Sequence, residues 1–144
     1  MHLHVFSTWV LANLLHPFIM LLYIGYPIHP SFVELLGNYS SILYYSVIFS
    51  LPSLFISFLW VYLISRLQVP AIGIYIIWLV SAPLLIILNM LLILILFPGA
   101  IGLLGVNYFI PAMIAVVIII LIRHDQFYSL TIQIKETKHE NNLV

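Results

Sequence analysis

Long apolar stretches alternate with short polar segments along this chain of 144 residues. Four of the stretches contain no Asp, Glu, Lys or Arg, and they cover residues 5–25, 41–65, 71–97 and 101–122. A helix of about 20 apolar residues crosses a hydrocarbon core about 30 Å thick, because its internal hydrogen bonds satisfy the backbone in lipid. The pattern therefore predicts an all-α polytopic membrane protein, an antiparallel bundle of four transmembrane helices that forms one domain over residues 1–123.

The composition supports a lipid environment and excludes several classes of function. Hydrophobic residues make up 65% of the chain and charged residues 6%, whereas soluble domains average about 45–50% and 25%. The four basic and four acidic residues balance, so the basic excess of a nucleic-acid-binding protein is missing. The absence of cysteine excludes disulfides, thiolate metal sites and cysteine nucleophiles. We expect the partners to be the lipid bilayer and either further copies of this chain or a larger membrane-protein partner, with no nucleic acid.

The basic residues predict how the chain is oriented in the membrane. Arg66 lies in the second connection, Arg123 ends the fourth span, and Lys135 and Lys138 lie in the tail of residues 124–144. In a four-span protein the second connection and both termini share one side. Because basic residues favour the cytoplasmic side, we expect a multi-pass protein with both termini in the cytoplasm and a retained first span. The bacterial inner membrane is the default location.

Two segments outside the spans carry local signals. Ser31 and Glu34 have the spacing of a capping box, which predicts a short interfacial helix over residues 32–36 that stops at Gly37 in the first loop. Residues 130–135 of the tail alternate apolar and polar side chains with period two, which is typical of a half-buried strand. A lone strand is not stable, so a loosely ordered tail is preferred over a strand that joins a partner's sheet.

The second span carries a row of hydroxyl groups on one face. Four serines are spaced so that they fall within an arc of about 60° on a helix, and we name them the serine stripe: Ser46, Ser50, Ser53 and Ser57. Tyr39 extends the row outward. Close helix packing is the favoured interpretation, because small residues let backbones approach and serines bond across helices. The alternative is a water-filled path, where hydroxyls replace part of the hydration of a permeant species.

The other spans contain four uncharged polar residues of interest. Asn13 and His16 lie three residues apart near the middle of the first span, and we expect both to face the bundle interior, since unpaired polar groups are costly in hydrocarbon. The favoured interpretation is a neutral His16 bonded to Asn13, a serine or a freed carbonyl. The alternative is a proton relay, a pH-sensitive gate or a haem ligand. Asn89 and Asn107 are candidates for interhelical bonds or for lining a path.

A further group of residues falls at one membrane boundary in the predicted topology. Imidazole and carboxylate ligands of the kind that zinc, copper or iron bind are supplied there by His2, His4, His124 and Asp125. Histidine is also common at interfaces, so we treat these as weak metal candidates and expect no cofactor. Serine hydrolysis needs a base and an orienting acid beside a serine, and no acid lies at the depth of His16. We therefore expect no enzymatic activity.

Two non-enzymatic functions fit these polar positions. The preferred hypothesis is a homo-oligomeric pore or channel-like protein, in which the serine stripe faces an axis shared by several copies. Several copies are expected because the centre of one four-helix bundle has room for side chains but hardly for a pore. The alternative is a non-catalytic accessory subunit or assembly factor of a larger membrane complex. The pore hypothesis is preferred because it accounts for more of the polar positions.

Overall fold

The computed structural model of the protein describes residues 2–25, 31–67, 69–96 and 106–141. These residues form the helices α1 (His2–Tyr23), α2 (Phe32–Ser65), α3 (Ala71–Leu96), α4 (Val106–Ile122) and α5 (His124–Asn141). Within these ranges no strand occurs. The all-α prediction is confirmed.

Three of the helices, α1, α2 and α3, are long and apolar enough to cross a membrane. Helices α4 and α5 meet at a bend of 61° and provide a fourth candidate only if the bent pair is one span. Helix α4 by itself has 17 residues, or about 26 Å at 1.5 Å per residue. The predicted beginning of the fourth span, residues 101–105, lies outside the described residues. The length and apolar composition of these helices thus indicate a membrane protein, while the four-span topology stays a prediction.

Helices α1 to α4 pack side by side around a common interior. Helix α1 contacts α2 and α4, α3 contacts the same two helices, and α5 packs mainly on α3. The main apolar core includes Val5, Ile74, Trp78, Ile120 and Phe127. Large apolar side chains also cover the outer faces of the helices, as expected for contact with lipid. Most of the buried polar side chains lie on the inner faces of α1 and α2, and α3 and α5 contribute Asn89 and Thr131.

The beginning of α2 differs from the expectation. The capping box is present: the Ser31 hydroxyl accepts from the Glu34 N–H at 3.2 Å, and the Glu34 carboxylate accepts from the Ser31 N–H at 3.0 Å. The helix does not stop at Gly37, however, so the prediction of a separate short helix over residues 32–36 is wrong. Helix α2 continues for 34 residues, because one glycine costs a helix only about 1 kcal/mol and the chain enters an apolar stretch one turn later, at Ile42.

The tail forms the helix α5, so both the preferred loosely ordered tail and the alternative, a strand over residues 130–135, are wrong. Phe127 is 1% exposed, and Thr131, one turn later, is also buried, with Leu130 half-buried beside them. The spacing of these three residues is that of one helix face. The Phe127 ring lies 5.2 Å from that of His4 and 6.0 Å from that of Tyr75, measured between ring centroids. The first turns of α5 are therefore docked on the bundle.

Candidate functional site

The polar residues predicted in the first and second spans meet in the interior between α1, α2 and α4. Asn13, His16 and Ser46 are all buried, and His16 is 1% exposed. Asn13 lies about 17 Å along α1 from His2, at 1.5 Å per residue, which is about half the length of that helix. We name the connected side chains the polar cluster: Trp9, Asn13, His16, Ser46, Ser50 and Tyr108.

Asn13 connects α1 to two members of the serine stripe. Its side-chain N–H group donates to the Trp9 carbonyl at 3.0 Å, which fixes the orientation of the amide. Its side-chain oxygen accepts from the Ser46 hydroxyl at 2.5 Å and from the Ser50 hydroxyl at 3.1 Å. The Trp9 indole N–H donates to the Ser50 carbonyl at 3.3 Å, which adds a second link between the two helices.

His16 is bonded at both ring nitrogens. Its Nε2 atom lies 3.1 Å from the Tyr108 carbonyl of α4, and because a carbonyl only accepts, Nε2 carries a hydrogen. Its Nδ1 atom lies 3.0 Å from the Ser46 hydroxyl oxygen. The Tyr108 ring stands edge-on to the imidazole, with 4.7 Å between ring centroids. His16 therefore joins α1 to both α2 and α4.

The contacts of Ser46 with His16 and Asn13 have one hydrogen fewer than they can use when His16 is neutral. Ser46 has one hydroxyl hydrogen, and it faces two acceptors, the Nδ1 atom of His16 and the side-chain oxygen of Asn13. If His16 carries hydrogens on both nitrogens, Nδ1 donates to Ser46 and Ser46 donates to Asn13. Both of these Ser46 contacts are then hydrogen bonds, without movement of a heavy atom. An imidazolium is costly inside a membrane, so the protonated form of His16 would be short-lived.

A cavity of about 70 Å³ adjoins the polar cluster, and its walls include Asn13, His16, Ser50, Ser53 and Asn89. This volume accommodates a few water molecules. Asn89 is 4% exposed, and its side-chain N–H group donates across to the Phe49 carbonyl of α2 at 2.7 Å. Its side-chain oxygen has no protein partner. A buried acceptor without a partner indicates a position for a donor such as water.

A second cavity, of about 50 Å³, lies next to the first on the side towards the beginning of α1. The two cavities share the lining residues Trp9, Ser53, Ile86 and Val116. Thr8, Ser57 and Trp78 line the second cavity, and the Trp78 indole N–H is buried without a partner. The Thr8 hydroxyl lies 3.4 Å from the guanidinium of Arg123. Polar groups and small cavities thus follow one another from the middle of the bundle to the junction of α4 and α5.

The serine stripe faces the interior of its own chain. Ser46 and Ser53 are buried, and Ser50 and Ser57 are half-buried. The pore hypothesis placed this row on an axis between copies, whereas these serines contact α1 and the two cavities. Tyr39, which extends the stripe, donates to the Leu14 carbonyl at 2.9 Å. The side chain of Asn107 lies outside the described part of the chain.

The weak metal candidates have separate surroundings. His2 packs edge-on against Phe58, His4 is buried against Phe127, and His124 lies 3.1 Å from the Asp125 carboxylate. In the part of the chain that the structure describes, no three His, Asp or Glu side chains are grouped so that they could hold a metal ion.

Several residues of the site were not singled out from the sequence. Trp9 precedes Asn13 by four residues and His16 by seven, a spacing that places all three on one helix face and was a usable signal. Tyr108 contributes a backbone carbonyl, which the residue type does not reveal. Arg123 was read only as a signal of orientation, although it contacts Thr8 at the end of the line of cavities.

Comparison of the chain with protein-family models, with curated proteins and with solved structures gives no match. Function is therefore inferred from the chemistry of the polar cluster itself. That cluster offers an imidazole bonded at both nitrogens, hydroxyl groups that can donate or accept, and space for water. These are the components of a hydrogen-bonded relay.

Proposed function

We propose that this protein is channel-like and conducts protons through the interior of its own helix bundle, along the serine stripe. The observation that supports the proposal most directly is the surroundings of His16. Its two ring nitrogens contact a serine of α2 and a carbonyl of α4, beside a cavity of about 70 Å³ in the middle of the bundle. A proton taken up at Nδ1 gives both Ser46 contacts a hydrogen, and its release restores the neutral arrangement.

The dimensions and chemistry of the cavities favour protons over larger species. Volumes of about 70 and 50 Å³ hold a few waters but not a hydrated metal ion or an organic solute. Neither cavity is lined by Asp or Glu within the described residues, so there is no carboxylate to balance a resident metal cation. Protons need only a chain of groups that can exchange hydrogens, which hydroxyls, imidazole and water provide.

Conduction inside each chain needs neither an axis shared between copies nor a catalytic reaction. Of the serines that a shared axis would require, Ser46 and Ser50 bond to α1 of the same chain, and Ser53 and Ser57 line its second cavity. Copies of the chain can still associate through their lipid-facing surfaces, and the proposed path does not depend on it. The mechanism uses no metal and no other cofactor.

The experiment is proton flux into liposomes that carry the purified protein, driven by a potassium diffusion potential and followed with a pH-sensitive dye inside the vesicles. We expect Ser53→Phe to abolish the flux, because Ser53 lines both cavities and a phenyl ring there obstructs the step from one to the other. Ser40→Phe is the matched control, the same change at an exposed position of the same helix. Wild-type flux equal to that of protein-free vesicles, or equal flux in the wild type and Ser53→Phe, contradicts the proposal.

The second candidate function, an accessory subunit of a larger membrane complex, is favoured by one feature of α2. This helix has 34 residues against 22 in α1, so it is longer by about 18 Å at 1.5 Å per residue. Phe32, Val33 and Leu36 are exposed near its beginning, and such a face suits a groove in another membrane protein. Loss of a co-purifying membrane complex from a Phe32→Ser and Leu36→Ser double variant, with no proton flux in the wild type, favours this alternative.

A further inference from the structure

An open groove of about 680 Å³ lies at the end of the bundle where α1 begins and α4 meets α5. Its walls include Leu3, His4, Ser7, Arg123, Ser129 and Leu130. We infer that this groove binds the headgroup of an anionic phospholipid, with the lipid phosphate on Arg123. Arg123 also contacts Thr8, which lines the second cavity, so the groove adjoins the proposed proton path, but the inference does not depend on proton conduction.

Arg123 is a cation whose partners are neutral. One terminal nitrogen, Nη1, donates to the Ser7 hydroxyl and lies 3.4 Å from the His4 carbonyl. The other two nitrogens donate to the Gln126 side-chain oxygen, Nε at 3.0 Å and Nη2 at 2.8 Å. Among the side chains that the structure describes, no carboxylate forms an ion pair with Arg123. A guanidinium beside lipid favours an anionic partner, and its planar set of donors matches a phosphate.

His4 provides a second, independent indication of a ligand. Its side chain is 3% exposed and lines the groove, yet its Nδ1 atom has no hydrogen-bond partner. Buried polar nitrogens in proteins are nearly always bonded. A hydrogen on Nδ1 can be donated to a phosphate oxygen on Arg123, which would satisfy both groups.

The charged groups around the groove are compatible with the binding of one anion. Asp125 also lines the groove, but its carboxylate lies 3.1 Å from the His124 imidazole and is directed to that partner. The first turn of α1 contains no acidic residue, and its free N–H groups make that end of the helix favourable for negative charge.

The position of the groove selects a lipid rather than a free phosphate ion. It lies at the 61° bend where an apolar helix gives way to the polar tail helix, which is the level expected for lipid headgroups. Leu3, which is exposed, and Leu130 provide apolar walls next to the cation. A headgroup on Arg123 would place the first part of its acyl chains against these leucines.

The test measures lipid binding by native mass spectrometry of the protein in detergent, with phosphatidylglycerol added in increasing amounts. We expect one saturable phosphatidylglycerol on the wild type, loss of it in Arg123→Gln, and no change in Arg66→Gln. Arg66 is the matched control, because it is an exposed arginine at the end of α2 that contacts Tyr62 instead of a groove. Phosphatidylcholine and inorganic phosphate serve as competitors and should not displace the bound lipid.

A second variant keeps the test decisive if Arg123→Gln does not fold. Ser129 is an exposed residue of the groove, and its hydroxyl bonds to the Asp125 carbonyl of its own helix. Ser129→Phe adds a phenyl ring to the wall of the groove, retains the guanidinium, and should prevent phosphatidylglycerol binding. Binding that persists in Ser129→Phe, or equal binding of phosphatidylcholine, overturns the inference. Displacement of the lipid by inorganic phosphate alone also overturns it, because the site would then be one for a free anion.

Discussion

The side chains of the polar cluster depend on one another for their hydrogen bonds. Asn13 is the centre of this dependence, since it supplies partners to the Trp9 carbonyl and to the hydroxyls of Ser46 and Ser50. In membranes, interhelical hydrogen bonds contribute about 0.6 kcal/mol on average and about 1.7 kcal/mol at most. A buried group that loses its partner costs about 1–3 kcal/mol. Removal of Asn13 should therefore cost more than removal of any one serine.

The interdependence of Asn13 and Ser46 can be measured with a double-mutant cycle. We expect Asn13→Ala to lower the free energy of unfolding by about 1–2 kcal/mol. Asn13→Ala and Ser46→Ala should couple by at least about 0.5 kcal/mol, because they share a hydrogen bond. Unfolding in mixed micelles gives both quantities.

The control for that cycle is Asn13→Ala with Ser81→Ala. Ser81 accepts from the Trp60 indole at 2.7 Å and does not line the cavity beside Asn13. Its effect should add to that of Asn13→Ala. Equal additivity in both cycles would show that Asn13 and Ser46 are not bonded.

At the scale of the elements, the sequence predicted the positions of the apolar helices and the cap at Ser31 but not the extent of α2 or the form of the tail. Both errors came from giving a short local signal too much weight. Gly37 suggested a helix end, yet the Ser40 and Ser41 hydroxyls bond to its carbonyl within a continuous helix. The alternation over residues 130–135 suggested either a loosely ordered tail or, as the alternative, a strand, because the window left out Phe127, the residue that establishes the helical face.

Replacement of Gly37 tests the continuity of α2. No atom lies within 4 Å of the position that a Cβ would take, and the backbone there does not have positive φ. We expect Gly37→Ala to stabilise the protein by about 0.5–1 kcal/mol, because alanine is the better helix former. Thermal unfolding in detergent checks this. A lower melting temperature would instead indicate a helix that ends at Gly37.

Replacement of Phe127 tests the docking of α5. The ring belongs to the main apolar core, so Phe127→Ala should lower the free energy of unfolding by about 3 kcal/mol. Tyr128→Ala is the control, since the neighbouring side chain is 38% exposed and its loss should have a small effect. Equal effects of the two substitutions would mean that the tail is not packed on the bundle.

For the whole molecule, the sequence indicated which side chains avoid lipid but not what they would contact. The spacing of the serine stripe defines one face of α2. That face is equally compatible with an axis between copies and with contact to a neighbouring helix of the same chain. The choice depends on the order and rotation of the helices, which brings His16 of α1 between Ser46 and the Tyr108 carbonyl. A contact through a backbone carbonyl has no signature in the residue types, so this part of the site could not be predicted.

The central claim is that one chain contains the whole path, and single-vesicle measurement tests it most directly. The chain has no cysteine, so Ser40→Cys at an exposed position accepts one fluorophore per copy, and bleaching steps count the copies in each liposome. We predict that liposomes with a single bleaching step show proton flux, and that His16→Leu removes it. Proton flux confined to liposomes with several bleaching steps would contradict the account.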